Sequence, residues 1–208
     1  MEDYVSVTNA TYDAIGPAYA GRAGASMDWA GEWITRLSGV LPDRAVIADV
    51  GCGPGHLTRV LREHGFRAAG FDLSAGMLGA LGVPGLVQAD MRALPVASAS
   101  VDAIWCSAAV LHIPRPDVPA VFAGFARILR PGGQLALTVA EGDGESWEPL
   151  PYRPELRRYH VCHRVEPLSA LLRDVGLPVD RYWRRSAHRD WLHLQATRRP
   201  ATEAGTSS

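Results

Sequence analysis

The sequence contains no lysine, so all 21 of its basic residues are arginine. Without a lysine amine there can be no Schiff base to pyridoxal phosphate, no phosphate-loop lysine and no lysine general base. Composition alone therefore excludes three widespread kinds of active site.

Cysteines are few, and long apolar runs are missing. The three cysteines, Cys52, Cys106 and Cys162, have no paired spacing, which argues against a disulfide framework and favours a reducing compartment. No segment approaches the ~18 apolar residues of a membrane helix, and no signal peptide is visible. His160 and His163 flank Cys162 without a second ligand pair at zinc spacing, so we predict no metal site. We expect a cytoplasmic protein without a membrane partner.

The composition suits one domain of moderate size. The chain has 208 residues, 47% of them hydrophobic, and a formal net charge of -1, which gives no strong attraction to nucleic acid. We predict a single domain over residues 1–199, with residues 1–40 forming a helical lid. The small polar residues at 200–208 are expected to form a disordered tail.

Hydrophobic periodicity predicts strands that alternate with helices, which is typical of a parallel sheet covered on both faces. Helices are predicted at 10–20, interrupted by Gly16-Pro17, and at 27–40, 57–64, 74–81, 118–129 and 168–175. Strands are predicted at 45–50, 68–71, 85–89, 101–106 and 134–140, with an antiparallel pair at 179–186 and 191–196. The segment 142–164 is predicted to be irregular.

A glycine-rich loop, residues 49–55, follows the first predicted strand. Gly51, Gly53 and Gly55 would let the backbone approach a ligand and adopt torsions that side chains disfavour. Nicotinamide and flavin enzymes have a related loop, but their third glycine falls at the position that His56 occupies here. The loop therefore disfavours a nicotinamide-dependent oxidoreductase, although glycines between a strand and a helix can also serve only as a turn.

Acidic residues stand at the ends of the first three strands. Asp49 could meet a cationic amino group, and Asp72, which follows Gly51 by 21 residues, could accept hydrogen bonds from two ribose hydroxyls. Asp90, beside Met91, suits the exocyclic amine and the flat face of an adenine. The alternative for Asp72 is that it only caps the next helix.

Together these motifs resemble the class I S-adenosylmethionine-dependent methyltransferases. The matching segments occur in family order over roughly residues 43–140. They are Asp49-Val50-Gly51-Cys52-Gly53-Pro54-Gly55, Phe71-Asp72-Leu73-Ser74, Gln88-Ala89-Asp90-Met91, Val101-Asp102-Ala103-Ile104-Trp105 and Ile128-Leu129-Arg130-Pro131-Gly132-Gly133. Pro54 stands where many members have a threonine or serine.

The resemblance implies the α/β class, with a Rossmann-like, doubly wound sheet of seven strands. The sheet would be mostly parallel with an antiparallel C-terminal strand, and helices would precede it. S-adenosylmethionine would be the cofactor and S-adenosylhomocysteine the product. The implied cofactor contacts are Asp49, Gly51, Cys52, Gly53 and Gly55 for the methionine half, Asp72, Leu73 and Met77 for the ribose, Asp90 and Met91 for the adenine, Cys106 and Ser107 beside the sulfonium, and Tyr19 from the lid.

Methyl transfer from a sulfonium is a direct displacement, to which an enzyme contributes mainly alignment; alignment can account for roughly 7–11 kcal/mol of the barrier. A base is needed only if the acceptor must first lose a proton. His112, shortly after the fourth strand, is the candidate base. The alternative is a loop histidine that hydrogen-bonds the backbone.

Five residues are candidates for binding the acceptor: Tyr12, Glu141, Trp147, Arg158 and Tyr159. Tyr12 lies on the predicted lid, where the alternative role is helix packing. Glu141 and Trp147 follow the fifth strand, where the alternative is a solvated acidic loop. Arg158 and Tyr159 belong to an arginine-rich segment that could bind an anionic acceptor, bind RNA, or simply face water and pair with acids.

The leading hypothesis is a methyltransferase that acts on an oxygen, nitrogen or carbon of a small metabolite. The short chain leaves little room for a nucleic-acid recognition domain, so nucleic acid is not an expected partner. We expect a monomer or homodimer. The alternative uses the same cofactor site for cyclase-like or decarboxylase-like chemistry or for regulation.

Overall fold

A computed structural model describes residues 3–23 and 28–200. Residues 201–208 of the predicted tail lie outside the described residues, as does Met27 at the start of the second predicted helix. The helices are α1 Tyr4–Ala23, α2 Asp28–Ser38, α3 His56–Glu63, α4 Ala75–Gly79, α5 Val118–Ile128 and α6 Val165–Asp174. The strands are β1 Val46–Val50, β2 Arg67–Asp72, β3 Leu86–Gln88, β4 Val101–Ser107, β5 Leu129–Ala140, β6 Glu145–Leu150, β7 Arg153–Val161, β8 Val179–Ser186 and β9 Asp190–Thr197.

Seven strands form one sheet in the order β3-β2-β1-β4-β5-β9-β8. Strands β1 to β5 pair in parallel, whereas β9 runs antiparallel to both β5 and β8. This confirms the predicted Rossmann-like sheet with an antiparallel C-terminal strand. The strand order reverses between β1 and β4, which is where open parallel sheets bind their ligands.

Helices cover both faces of the sheet. On one face α5 and α6 enclose the larger core around Phe122 and Leu172, which are fully buried. On the other face α2 and α3 pack over β1 and β4, and the ring of Trp33 lies 5.5 Å from Trp105 and 4.8 Å from Trp183. Helix α2 therefore covers a face of the sheet and is not part of a lid. Of the two helices in the predicted lid segment, α1 is the one that lies at the cavity.

Helix α1 runs without interruption through Gly16-Pro17, where the sequence predicted a break. The helix continues because it packs tightly on α4. A Cβ atom at Gly16 would lie 2.2 Å from the carbonyl oxygen of Gly76, so only glycine permits this approach. Asp13 fixes the contact, since its Oδ1 accepts from Ser74 Oγ at 2.7 Å and from the Gly76 amide at 2.9 Å.

The segment 142–164, predicted to be irregular, contains the antiparallel hairpin of β6 and β7. Its side chains are charged and aromatic and do not alternate with apolar ones, so the local sequence gives no indication of a β-hairpin. The hairpin is held instead by α1: Thr11 Oγ1 donates to the Arg157 carbonyl at 2.6 Å, and the Tyr159 amide donates to Thr8 Oγ1 at 2.9 Å. Pairing with a distant helix overrides the weak local signal.

Strand β5 begins at Leu129, ahead of the predicted start at Gln134. Leu129 already pairs with Val101, and the register then shifts so that Ala103 pairs with Gln134. The segment Pro131-Gly132-Gly133, which separates the predicted helix at 118–129 from the predicted strand, is thus part of a bulge within β5.

Candidate functional site

A cavity opens at the carboxyl ends of β1, β2 and β4, and α1 lies across it. Its walls come from the glycine loop, from the residues that follow β2, β3 and β4, and from one face of α1. The lining residues are Val5, Thr8, Asn9, Tyr12, Tyr19, Gly51, Gly53, Phe71, Asp72, Leu73, Ser74, Met77, Ala89, Asp90, Met91, Ser107, Ala108, Ala109, His112 and Ile113.

The glycine loop supplies backbone, not side chains, to the cavity. Gly51 and Gly53 line it with φ angles of 72° and 54°, a region that other residues seldom adopt. A Cβ atom at Gly51 would lie 2.2 Å from the Cβ of Ala109, whereas at Gly53 it would meet nothing within 4 Å. The backbone at Gly53 is therefore open to a ligand.

Asp72 ties the loop to the end of β2. Its Oδ2 accepts from the Gly53 amide at 2.8 Å, and its Oδ1 accepts from the Ser74 amide at 2.9 Å. Burial raises the pKa of this carboxyl. Leu73 and Met77 stand beside it in the cavity wall.

Asp90 and Met91 also lie in the wall, next to the third strand. Both carboxylate oxygens of Asp90 accept hydrogen bonds from Arg92, with Nη2 at 2.7 Å from Oδ2. Although burial raises it, these bonds hold the pKa of Asp90 below its ordinary value. The structure thus brings three predicted polar features, the glycine loop, Asp72 and Asp90, into one cavity.

Four predicted cofactor contacts lie behind the wall. The buried carboxylate of Asp49 accepts from Thr58 Oγ1 at 2.6 Å, and burial raises its pKa to about 7. Cys106 is fully buried in the core on the α5 face, and the next residue, Ser107, faces the cavity. Cys52 and Gly55 belong to the loop but do not line the cavity as the structure describes it. A Cβ atom at Gly55 would lie 2.9 Å from the side chain of Leu86.

Three polar side chains form a chain of hydrogen bonds at the cavity's inner end. His112 Nδ1 lies 2.7 Å from the Tyr159 carbonyl, which can only accept, so Nδ1 carries the proton. The Tyr12 hydroxyl then donates to His112 Nε2 at 2.8 Å and accepts from Arg158 Nη1 at 3.2 Å. Burial lowers the pKa of His112 to about 3.

This arrangement weakens the case for His112 as a base. Its one lone pair is already used by Tyr12, and a group with so low a pKa has little affinity for a proton at neutral pH. Tyr12 also lines the cavity, and its hydroxyl is held between His112 and Arg158. The ring of Tyr19 packs edge-on against Tyr12 at 6.1 Å, and burial raises its pKa to about 12.

The remaining predicted acceptor contacts are spread over the hairpin and the sheet edge. The ring centroids of Tyr159 and Tyr4 lie 4.2 Å apart with the rings tilted by 31°, and those of Trp147 and Tyr159 lie 5.4 Å apart. Glu141 pairs with Arg184 at 2.7 Å. None of these side chains lines the cavity as the structure describes it; the arginine-rich segment reaches the cavity's edge through the bond of Arg158 to Tyr12 and that of the Tyr159 carbonyl to His112.

Sequence reasoning missed the part of the lining that α1 supplies. Val5, Thr8 and Asn9 share one helical face with Tyr12, at spacings of three, four and seven residues. That spacing was visible in the sequence once Tyr12 had been selected. Which face of α1 meets the sheet depends on its packing against α4, which the sequence does not reveal.

No helix within residues 3–23 and 28–200 is long and apolar enough to cross a membrane. In the same part of the chain, no group of three or more histidine, cysteine or acidic side chains is placed to hold a metal ion.

Comparison with protein families matches residues 48–137 to the methyltransferase domain family. Among curated proteins, the malonyl-[acyl-carrier protein] O-methyltransferase of Enterobacter lignolyticus is 35% identical over 130 residues, which is 57% of this chain and 51% of that protein. The trans-aconitate 2-methyltransferase of an Azoarcus species is 41% identical over 103 residues, 47% of this chain and 40% of that protein. The chain spans about half the length of the curated relatives it matches.

Solved structures share the fold over nearly the whole chain. The 1,6-didemethyltoxoflavin-N1-methyltransferase of Burkholderia thailandensis, solved with its substrate and S-adenosylhomocysteine, superposes with a TM-score of 0.74 at 21% identity. The match covers 95% of this chain and 89% of that one. Residues 48–137 are thus similar to a methyltransferase domain, and the chain has the fold of the class I S-adenosylmethionine-dependent methyltransferases, as the resemblance of its motifs implied.

Proposed function

We propose that this protein, with its class I methyltransferase domain, transfers a methyl group from S-adenosylmethionine to an oxygen, nitrogen or carbon of a small molecule. One observation carries the proposal. The exposed backbone of Gly53, the carboxylate of Asp72 and the Asp90–Met91 pair face one cavity at the ends of three adjacent strands. The relatives named above, all methyltransferases, support the same reaction.

The residues present fit this cofactor. Gly53 leaves open space where a side chain would stand, and Gly51 beside it has room for no side chain at all, so the loop can meet the methionine half with its backbone. Asp72 is already fixed by two backbone amides and has lone pairs left for ribose hydroxyls. Asp90 and Met91 would hold the adenine, with Leu73 and Met77 beside the ribose. Asp49, behind the wall, would act on the ammonium group only through the field of its charge.

When bound, the cofactor supplies an activated methyl group on a good leaving group. The chain itself contributes alignment and a site shielded from water. The Tyr12 hydroxyl, held by His112 and Arg158, is the polar group best placed to orient an acceptor. We assign His112 the role of positioning Tyr12.

Helix α1 serves as the lid of this site. It contributes five lining residues, and with it in place the cavity measures about 130 Å³. Ligand sites usually measure ~300–1,000 Å³, so we infer that α1 shifts outward to admit the cofactor. Tyr19 would close over the cofactor when α1 returns.

The proposal includes a small-molecule acceptor with no nucleic-acid or membrane partner, and a monomer or homodimer. The free thiols of Cys52, Cys106 and Cys162 fit a reducing compartment such as the cytoplasm. Light scattering of the purified chain would give its mass and decide the oligomeric state.

Calorimetry tests the cofactor assignment directly. We expect S-adenosylmethionine and S-adenosylhomocysteine to bind with micromolar affinity and NADH to bind far more weakly. Tight binding of NADH with neither sulfur ligand bound would contradict the proposal. Mass spectrometry of reaction mixtures should then detect S-adenosylhomocysteine as product; methylthioadenosine would indicate different chemistry at the same site.

A further inference from the structure

A second cavity of about 280 Å³ adjoins the first. The two share Ser107 and Ala108, which follow the end of β4, so only this short segment separates them. The second cavity extends from there over the end of β5 toward the hairpin of β8 and β9. A molecule bound in the second cavity would therefore lie next to the first cavity, which we assign to the cofactor.

The residues of this second cavity project from one face of the sheet. Ser107 pairs with Thr138, and Thr138 pairs with His193, so the three lie in one row across β4, β5 and β9. Thr138 Oγ1 and His193 Nδ1 are hydrogen-bonded at 3.0 Å. Farther along, Arg185 stands directly opposite Trp191. Successive residues of a strand alternate between faces, so Arg184 points to the other side.

Arg185 differs from the arginines around it. Arg184 pairs with Glu141 at 2.7 Å, and Arg189 pairs with Glu148 at 2.9 Å. Arg181 binds the amide oxygen of Gln195 at 2.8 Å. Within residues 3–23 and 28–200, the side chain of Arg185 makes no ion pair or hydrogen bond. A guanidinium without an acid partner is suited to a carboxylate from outside the chain.

The other walls favour a flat ligand. Trp191 offers an aromatic surface, and the ring of His188 lies 5.6 Å from it at an angle of 67°. None of the described residues that line this cavity is acidic, so its walls offer Arg185 no carboxylate. The cavity therefore combines one cationic group with aromatic walls.

We propose that the second cavity holds the methyl acceptor, and that the acceptor is a small flat organic acid whose carboxylate pairs with Arg185. This inference rests on the proposed function for the identity of the reaction, but the binding it predicts needs no cofactor. The aromatic body of the acid lies against Trp191. The far end of the molecule faces the first cavity across Ser107 and Ala108.

Benzoate is a suitable probe, with benzamide as its neutral isostere. Ligand-observed NMR on the full chain, with and without S-adenosylhomocysteine, would give the affinity for each. We expect saturable binding of benzoate, and Arg185→Gln should weaken it about tenfold, since one charge-assisted contact is worth ~1.4 kcal/mol or more. Benzamide should bind more weakly than benzoate and should not respond to the substitution.

Two further variants make the result specific. Arg184→Gln removes the same charge from the opposite face of the same strand, and we expect benzoate to bind it about as it binds the parent. Arg185→Lys keeps the charge and should retain part of the affinity. Thermal unfolding of each variant verifies that it folds.

Three outcomes would overturn the inference: equal binding of benzoate and benzamide, unchanged benzoate binding in Arg185→Gln, or no benzoate binding up to about 20 mM, near the weakest affinity that such a contact allows. Each can occur while S-adenosylhomocysteine still binds, in which case the proposed function stands. Loss of S-adenosylhomocysteine binding with benzoate binding intact would overturn the proposed function alone.

Discussion

The two sides of the site are made in different ways. The cofactor side consists of loops that directly follow β1, β2 and β3, and its polar groups are backbone amides and acids. The proposed acceptor side consists mainly of side chains on β5, β8, β9 and the turn between β8 and β9, and among its described residues the one cationic group that is not paired with an acid is Arg185. The chain before Arg153 has 10 arginines and 16 acidic residues, whereas from Arg153 onward it has 11 arginines and 6 acidic residues.

This difference shows which parts of a site a sequence can specify. A loop between a strand and a helix is a local feature, and its glycines and acids keep their spacing wherever the strand lies. A side chain on a distant hairpin reaches the site only through pairing and register. Variants on the two sides should therefore separate cofactor binding from the handling of the acceptor.

The largest effect is expected from Asp72→Ala on the cofactor side. The substitution removes the acceptor for the Gly53 and Ser74 amides and the lone pairs assigned to the ribose. Losing two or more hydrogen bonds to a charged group, each worth ~1.5–3 kcal/mol, predicts at least a hundredfold weaker affinity for S-adenosylhomocysteine. Calorimetry measures it.

The matched control for this variant is Asp174→Ala, which removes an exposed acid at the end of α6. It should leave the affinity for S-adenosylhomocysteine unchanged. If Asp72→Ala kept its affinity for S-adenosylhomocysteine, there would be no basis for placing the cofactor in the first cavity. The division into a cofactor side and an acceptor side would then be wrong.

A smaller effect is expected where the two sides meet, from Tyr12→Phe. The variant keeps the ring but loses the hydroxyl that links His112 to Arg158. We expect kcat to fall about tenfold, the effect of ~1.4 kcal/mol, while the Kd of S-adenosylhomocysteine changes little. Steady-state kinetics and calorimetry would measure the two quantities.

Tyr182→Phe, an exposed tyrosine on β8, is the control for Tyr12→Phe and should behave as the parent. If His112 only positions Tyr12, the pH profile of kcat should show no inflection near pH 6.5, because the pKa of His112 is about 3. An inflection there that disappears in His112→Asn would restore His112 as a base.

The sequence predicted the seven-stranded sheet with its antiparallel C-terminal strand, and it singled out the glycine loop, Asp72 and Asp90, which the fold brings to one cavity, because each depends on spacing within a few dozen residues. It placed both Cys106 and Ser107 beside the sulfonium, but strand alternation turns the Cys106 thiol into the core and leaves only Ser107 of the two at the cavity. It missed the hairpin of β6 and β7, which α1 stabilises through Thr8 and Thr11. It also could not single out Arg185, since its lack of an ion pair appears only after β8 and β9 pair.

A third prediction concerns the effect of three buried histidines, His112, His160 and His163, on the pH dependence of stability. Burial lowers the pKa of His160 and of His163 to about 4, and that of His112 to about 3. Between those values and about 6.5, the unfolded chain binds more protons than the folded one, so stability falls as the pH is lowered. Asp49, whose pKa burial raises to about 7, has the opposite sign and loses its contribution as the pH rises through 7.

Burial also raises the pKa of Asp72, but three histidines outnumber these two carboxyls, so we expect the free energy of unfolding to decrease from pH 7 to pH 5. His163→Asn should reduce that slope by up to about 1.4 kcal/mol per pH unit, the value for one proton. His64→Asn, at an exposed position, should leave the slope unchanged. Urea unfolding at several pH values measures the slope, and an identical slope in His163→Asn would contradict the buried, neutral state of this histidine.

The smallest effect is expected from Cys106→Ala, which tests the boundary between the wall and the core. The thiol is fully buried among the apolar side chains on the α5 face, so its removal should leave a small void and lower the free energy of unfolding by ~1 kcal/mol. The affinity for S-adenosylhomocysteine should not change, because Ser107 and not Cys106 faces the cavity. A weaker affinity without loss of stability would return Cys106 to the sulfonium's side, and it would mean that β4 ends one residue out of the register described here.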